Sequence, residues 1–253
     1  MSVNDIQTGA SFNDAYFSVY GNDKKRYRTY LDEYSDIRRL APVGKILDVG
    51  CGTGDFLSVF SDEYDKYGVD ISDFAIEKSR ERNIKVNDFD KAYEYPDEYF
   101  DIIVLRGSLQ LLPNPFKTLE ICTKLLKPRG FMVFLSTPNS NSPYYKRFKT
   151  LPAICSPKTK KFLIPSDIML KNILENYGFS VTEVNFPYLG GHYSNVIQDH
   201  FFYLLGFFGI RKNFAFWRSM MNVYAQKIVN KGCRLILERK FMAYVRLYGQ
   251  LLE

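Results

Sequence analysis

The sequence predicts an α/β fold, a mostly parallel seven-stranded sheet with helices on both faces and an α-helical cap. Three observations carry this. Short apolar runs alternate along the chain with stretches of helical period, the pattern of strands buried on both faces. The first of these runs, residues 45–49, ends in a glycine-rich turn, Gly50-Cys51-Gly52-Thr53-Gly54. At 253 residues the chain can bury one such core and add a cap without dividing in two.

Each element has its own signal. Lys45-Ile46-Leu47-Asp48-Val49 reads as the first strand, Tyr67 to Asp70 as the second and Ile84-Lys85-Val86 as the third. Phe100 to Leu105 and Phe131 to Leu135 follow as the fourth and fifth. Helices are expected from near Thr53, from Ser72-Asp73, and over Pro115 to Leu126, the last ending before Pro128 and Gly130. The helix from Ser166 to Tyr177 is the best marked. Ser166 is its N-cap, Met169, Leu170, Ile173 and Leu174 form an apolar face, and Gly178 closes it. Residues 180–185 alternate as a sixth strand, and 232–239 (GCRLILER) read as a seventh.

Composition narrows the function. Four scattered cysteines without a CxxC pair, and only two histidines, oppose a zinc site or a disulfide framework and suit a reducing, cytoplasmic setting. Residues 1–10 lack a signal-peptide pattern, and no apolar run reaches the roughly 18 residues of a membrane span. The net charge of +6 leans toward an anionic partner.

The chemistry begins at the glycine turn. Glycines between a strand and the next element let the backbone approach a ligand and offer it amide N–H groups. Asp70 ends the second strand, twenty positions beyond Gly50, where a carboxylate can accept both hydroxyls of a ribose. A dinucleotide site has the spacing G-x-G-x-x-G around a pyrophosphate. Here the spacing is G-x-G-x-G, and Asp55 stands at the third glycine's position, where it would repel a pyrophosphate. A nucleoside cofactor without a pyrophosphate fits better.

With these residues in view, LDVGCGTGDFL resembles motif I of the class I S-adenosylmethionine-dependent methyltransferases, and YGVDIS resembles motif II. FDIIVLRGSLQLLPNP is similar to motif IV, and LLKPRGFMVFLSTPN to the segment around the fifth strand. The similarity runs in order from about residue 44 to 139. It implies a Rossmann-like core with S-adenosyl-L-methionine as cofactor. Gly50, Cys51 and Gly52 would line its methionine part, Asp70 would hold its ribose, Asp88 and Phe89 would contact its adenine, and Asp48 and Ile71 would also belong to the cofactor site. Arg106 takes the place of an apolar lining residue and would bring a positive charge to the site's edge. In the quinone-type relatives a Glu-His pair follows the fourth strand and in some serves a metal. Gln110 and Leu111 stand there instead, so no metal is expected.

The resemblance divides one domain, 1–253, into parts: a helical N-terminal lid (1–43), the cofactor-binding core (44–139), and two substrate-side cap segments (140–165 and 187–231). Tyr16 is the lid residue expected at the cofactor, since aromatic faces attract a sulfonium. His192 is the general-base candidate, and reads equally as a structural histidine. Arg147 and Tyr193 are the substrate-side candidates. The stretch 143–166 carries Lys146, Arg147, Lys149, Lys158, Lys160 and Lys161 with no acid between them, which would attract a phosphate or remain a solvated loop. The apolar stretch 201–217 reads as a packed helix, with a substrate pocket, a homodimer contact or a membrane-surface contact as the alternatives.

The function expected is transfer of a methyl group to a small sugar or a phosphorylated or nucleotide-linked precursor of bacterial surface polysaccharide. The rivals are an RNA methyltransferase, a quinone or lipid methyltransferase, and a non-catalytic cofactor-binding subunit. The Asn/Asp-Pro-Pro-Tyr/Phe segment of amino-directed DNA enzymes is absent after the fourth strand, where Leu105-Arg106-Gly107-Ser108 stands.

Overall fold

A computed structural model describes residues 12–18, 24–89, 94–142, 145–146, 163–186 and 220–228. Two helices come first, α1 (Asp14–Ser18) and α2 (Lys24–Leu40). The core then runs β1 (Gly44–Val49), β2 (Tyr64–Asp70), α3 (Asp73–Arg80), β3 (Lys85–Asp88), β4 (Phe100–Arg106), α4 (Pro115–Leu125), β5 (Leu126–Pro138), α5 (Asp167–Asn176), β6 (Phe179–Asn185) and β7 (Met220–Lys227).

Among the described residues the strands form one sheet in the order β3-β2-β1-β4-β5-β7-β6. The first five run parallel, and β7 is antiparallel to both β5 and β6. The order reverses between β1 and β4. Their carboxyl ends are where ligands bind in such sheets.

The helices start where capping residues satisfy the first free amides. Ser72 accepts from the Ala75 N–H, Asn114 from Lys117 with Pro115 at the first turn, and Ser166 from Met169. They cover the sheet on both sides. On one face α4 and α5 bury Leu119, Cys122, Leu170 and Leu174 against Leu47, Ile103 and Phe134. On the other, Tyr30 and Ile37 of α2 pack with Phe56, Phe60 and Ile76 against Ile46, Ile102 and Val133. The two-sided burial is why the strands read as unbroken apolar runs.

Three expectations change. After the glycine turn only a short 3-10 turn, Leu57–Val59, forms. Gly52 and Gly54 take φ of +54° and +77°, which a right-handed helix cannot include, and Arg82 ties the turn down by bonding the Thr53 carbonyl and Asp55. The fifth strand begins at Leu126, where Leu126 pairs with Phe100, so the Pro128–Gly130 stretch lies inside it rather than before it. The strand that completes the sheet is Met220–Lys227, inside the segment assigned to the cap. It is slotted between β5 and β6, and Met220 to Ala225 are all buried. The stretch 232–239 lies outside the described residues.

Candidate functional site

The glycine turn is held from below and from both sides. The Gly50 and Cys51 amides donate to the Val69 carbonyl at 2.8 and 3.1 Å. Gly50 has φ +81°, and a Cβ there would stand 2.7 Å from the Ser108 Cβ. Ser108 itself donates to the Val49 carbonyl at 2.5 Å, so the loop after β4 is drawn against the turn after β1. Only a glycine allows that approach.

Asp70 grips the turn from the neighbouring strand. Its Oδ2 accepts the Gly52 amide at 2.8 Å and its Oδ1 the Ser72 amide at 3.0 Å. Burial raises its carboxyl above the ordinary value, against the pull of these backbone bonds. A carboxylate has about four acceptor positions, so two amides leave room for a hydroxyl pair. Ile71 beside it is exposed, and Asp88 lies opposite Asp70 in register on β3.

Asp48 forms the floor. It is 2% exposed, and its Oδ1 has no hydrogen-bond partner. Burial pushes its carboxyl up to about 7, Arg106 opposing the shift and Asp70 and Glu33 adding to it. An orphaned acceptor beneath a cradle of left-handed glycines fits a ligand that carries a positive charge. With Glu33 and Asp70 close by, the floor is net acidic around one guanidinium.

Other expected residues sit differently. The Cys51 thiol donates to the Gly52 carbonyl at 3.6 Å and lies 4.0 Å from the Ser79 Oγ, and burial drives its pKa well up. Phe89 packs against the α4 side of the core, where it lines a small apolar cavity with Leu47, Val49, Val69 and Cys122. The Arg106 Nε donates to Glu33 at 2.6 Å, and its guanidinium lies 4.4 Å from the Tyr30 ring centroid. Tyr16 meets Phe12 and Phe17 edge to face. Phe17 is the lid residue at the turn, 3.1 Å from where a Gly52 Cβ would be and stacked on Phe74. The Ser72 hydroxyl fastens this strap by donating to the Phe12 carbonyl. His192, Tyr193 and Arg147 lie outside the described residues.

Sequence reasoning also missed Glu33, Ser108, Ser136 and Asn222. Ser136, at φ +48° where β5 bulges against β7, donates its amide to Asn222 at 2.8 Å and its hydroxyl to Glu33 at 3.1 Å. Glu33 carried a signal, since it stands on the apolar stripe of Tyr30, Tyr34 and Ile37 at helical spacing. The other three carried none, because bulges and loop contacts leave no period.

Among the described residues no cluster of three His, Cys, Asp or Glu could hold a metal, and no helix is long and apolar enough to cross a membrane. Gln110 is fully buried and donates to the Gly107 carbonyl at 2.7 Å.

The family described as "Methyltransferase domain" matches residues 22–184. An uncharacterised protein of Methanocaldococcus jannaschii is 34% identical over 106 residues, 41% of this chain and 50% of that protein. A ubiquinone biosynthesis O-methyltransferase of Photobacterium profundum is 30% identical over 142 residues, 49% of this chain and 60% of that one. The chain thus spans between half and three-fifths of the length of these curated relatives. Among solved structures, a SAM-dependent methyltransferase from Archaeoglobus fulgidus superposes with a TM-score of 0.55 at 22% identity, over 84% of this chain and all of that one.

Proposed function

The chain belongs to the methyltransferase-domain family, whose cofactor is S-adenosylmethionine, and from that premise we propose that it methylates a hydroxyl of a small anionic molecule. The observation that carries the cofactor reading is the pairing of the Gly50–Gly54 cradle with the unpartnered Asp48 Oδ1. Asp70 would hold the ribose, Asp88 and Phe89 the adenine, and the turn's backbone the methionine part.

When bound, S-adenosylmethionine supplies an electrophilic methyl group on a positively charged sulfur. The chain's own residues do the rest. The acidic floor favours the cation, and the Phe17 strap excludes water from the turn. His192 would take the proton from the substrate hydroxyl, and Arg147 and Tyr193 would orient the substrate. Alignment is worth effective molarities on the order of 10⁵–10⁸ M, so a strong base is not required.

The substrate class we propose is a sugar or a phosphorylated or nucleotide-linked precursor of bacterial surface polysaccharide. Its support is the basic stretch 143–166, whose two ends are stapled together at the carboxyl edge of β5. The Ser140 amide donates to the Pro165 carbonyl at 3.0 Å, and the Asn139 Oδ1 accepts the Asp167 amide at 3.2 Å. Such a run of lysines would attract a phosphate-bearing substrate. A second reading, a quinone-type phenol as substrate, is favoured by the ubiquinone O-methyltransferase relatives and opposed by Gln110 and Leu111 at the Glu-His positions.

Thermal unfolding with S-adenosylmethionine, S-adenosylhomocysteine or NAD tests the cofactor. A ligand at a hundred times its Kd stabilises by about 2.7 kcal/mol. A shift with the adenosyl ligands alone is expected, and a shift with NAD alone would sink the reading. Transfer of labelled methyl to phosphorylated sugars against demethylated quinones then separates the two substrate classes.

A further inference from the structure

Glu33 is 3% exposed on the face of α2 that Tyr30 and Ile37 bury. Burying a carboxylate or a guanidinium is costly unless each is paired, and here each pairs with the other. Glu33 takes the Arg106 Nε–H on one oxygen and the Ser136 hydroxyl on the other, at 2.6 and 3.1 Å. Tyr30 and Phe56 hold the guanidinium at 4.4 and 5.5 Å from their ring centroids. Ser136 thus holds Glu33, and three contacts, from Glu33, Tyr30 and Phe56, hold the Arg106 side chain. Only its Nε is committed, and neither terminal nitrogen bonds a described residue.

The sheet order says what would meet those two nitrogens. Asp88 and Asp70 stand in register on β3 and β2, and on the cofactor reading they would hold its adenine and ribose ends there. The ligand's remaining length then crosses β1 and reaches β4, whose last residue is Arg106. Adjacent strands are about 4.8 Å apart, so β2 and β4 are separated by about 10 Å. An amino-acid tail attached to a ribose reaches that far, and its terminal group is a carboxylate, the planar anion that a guanidinium fork grips with two parallel bonds.

We propose that Glu33 is a positioning residue which holds Arg106 as a rigid two-pronged donor for the carboxylate at the amino-acid end of the cofactor. The proposal rests on the cofactor reading above. It makes the N-terminal helix part of the cofactor seat, and recasts the buried ion pair as a recognition device.

The test compares S-adenosylhomocysteine, which has the amino-acid tail, with 5′-methylthioadenosine, which lacks it, by titration calorimetry on wild type, Arg106→Met and Glu33→Gln. Arg106→Met should weaken S-adenosylhomocysteine by about tenfold or more while leaving 5′-methylthioadenosine unchanged. Glu33→Gln should lose part of the same preference, about threefold, because the fork is no longer held. Should Arg106→Met fail to fold, Arg106→Lys keeps the charge and loses the fork, and is expected to reduce the preference by about threefold or more. Equal losses for both ligands, or no loss, would overturn the assignment of Arg106. A Glu33→Gln chain with the wild-type preference would overturn that of Glu33. A wild type that binds neither ligand overturns the cofactor reading itself, a result distinguishable from the others.

Discussion

The Asp70 carboxylate accepts the Gly52 amide at 2.8 Å, so the residue expected to hold a ribose also holds the turn that would hold the rest of the cofactor. Two jobs on one side chain change how it must be tested. Asp70→Ala leaves the Gly52 and Ser72 amides without their acceptor and should cost about 1–3 kcal/mol in urea unfolding. Asp70→Asn keeps an oxygen and should retain more of that stability, yet bind S-adenosylhomocysteine far more weakly than wild type. An Asn variant that binds like wild type would remove Asp70 from the ribose.

Gly50 and Ser108 make the second test. Alanine at Gly50 meets φ +81° and a Cβ–Cβ separation of 2.7 Å, so Gly50→Ala should destabilise by about 1–3 kcal/mol. Adding Ser108→Gly removes the collision but not the backbone strain, and should restore part of the loss. A double variant no more stable than Gly50→Ala would mean that the contact is not the cause.

Asp48 predicts a pH dependence. Its carboxyl rises from 3.8 to about 7 on folding, so the folded chain holds this proton more tightly than the unfolded one. The stability linked to that proton is full below about pH 4 and is lost as pH rises through about 7. Asp48→Asn cannot ionise. Its melting temperature should gain on wild type from pH 4 to 7 and run parallel above. A cationic ligand prefers the ionised form, so wild-type affinity for S-adenosylmethionine should climb across pH 6–8 while the Asn variant stays flat.

At Ser136 the usual order of alanine and glycine should invert. The residue sits at φ +48° in β5, a conformation glycine adopts without strain. Both substitutions lose the bond to Glu33, but alanine keeps the strain. Ser136→Gly should therefore be about 1 kcal/mol more stable than Ser136→Ala in chemical denaturation. The opposite order would show that the bulge relaxes.

Where the sequence was read correctly, the signal was local. The caps Ser72, Asn114 and Ser166 act within their own first turns, and the apolar runs of β1, β4 and β5 announce burial wherever they are packed. Errors came where neighbours decide. Thr53 to Phe60 has the composition of a helix start, yet left-handed glycines and the Arg82 clasp stop it. Met220 to Lys227 lies in the segment assigned to the cap, and only its pairing with β5 and β6 makes it the strand between them.

The sequence by itself determined the α/β alternation, the G-x-G-x-G turn and the acidic residue one strand further on, because each depends on pattern and spacing along one stretch of backbone. Tertiary structure alone decided that Arg106 is paired with Glu33, 73 positions away, that Asp48 is left with an orphaned oxygen, and that Phe17 covers Gly52. The physical reason is that charge state and exposure belong to a residue's neighbours in space. Those neighbours come from segments whose order in the chain carries no trace of their meeting.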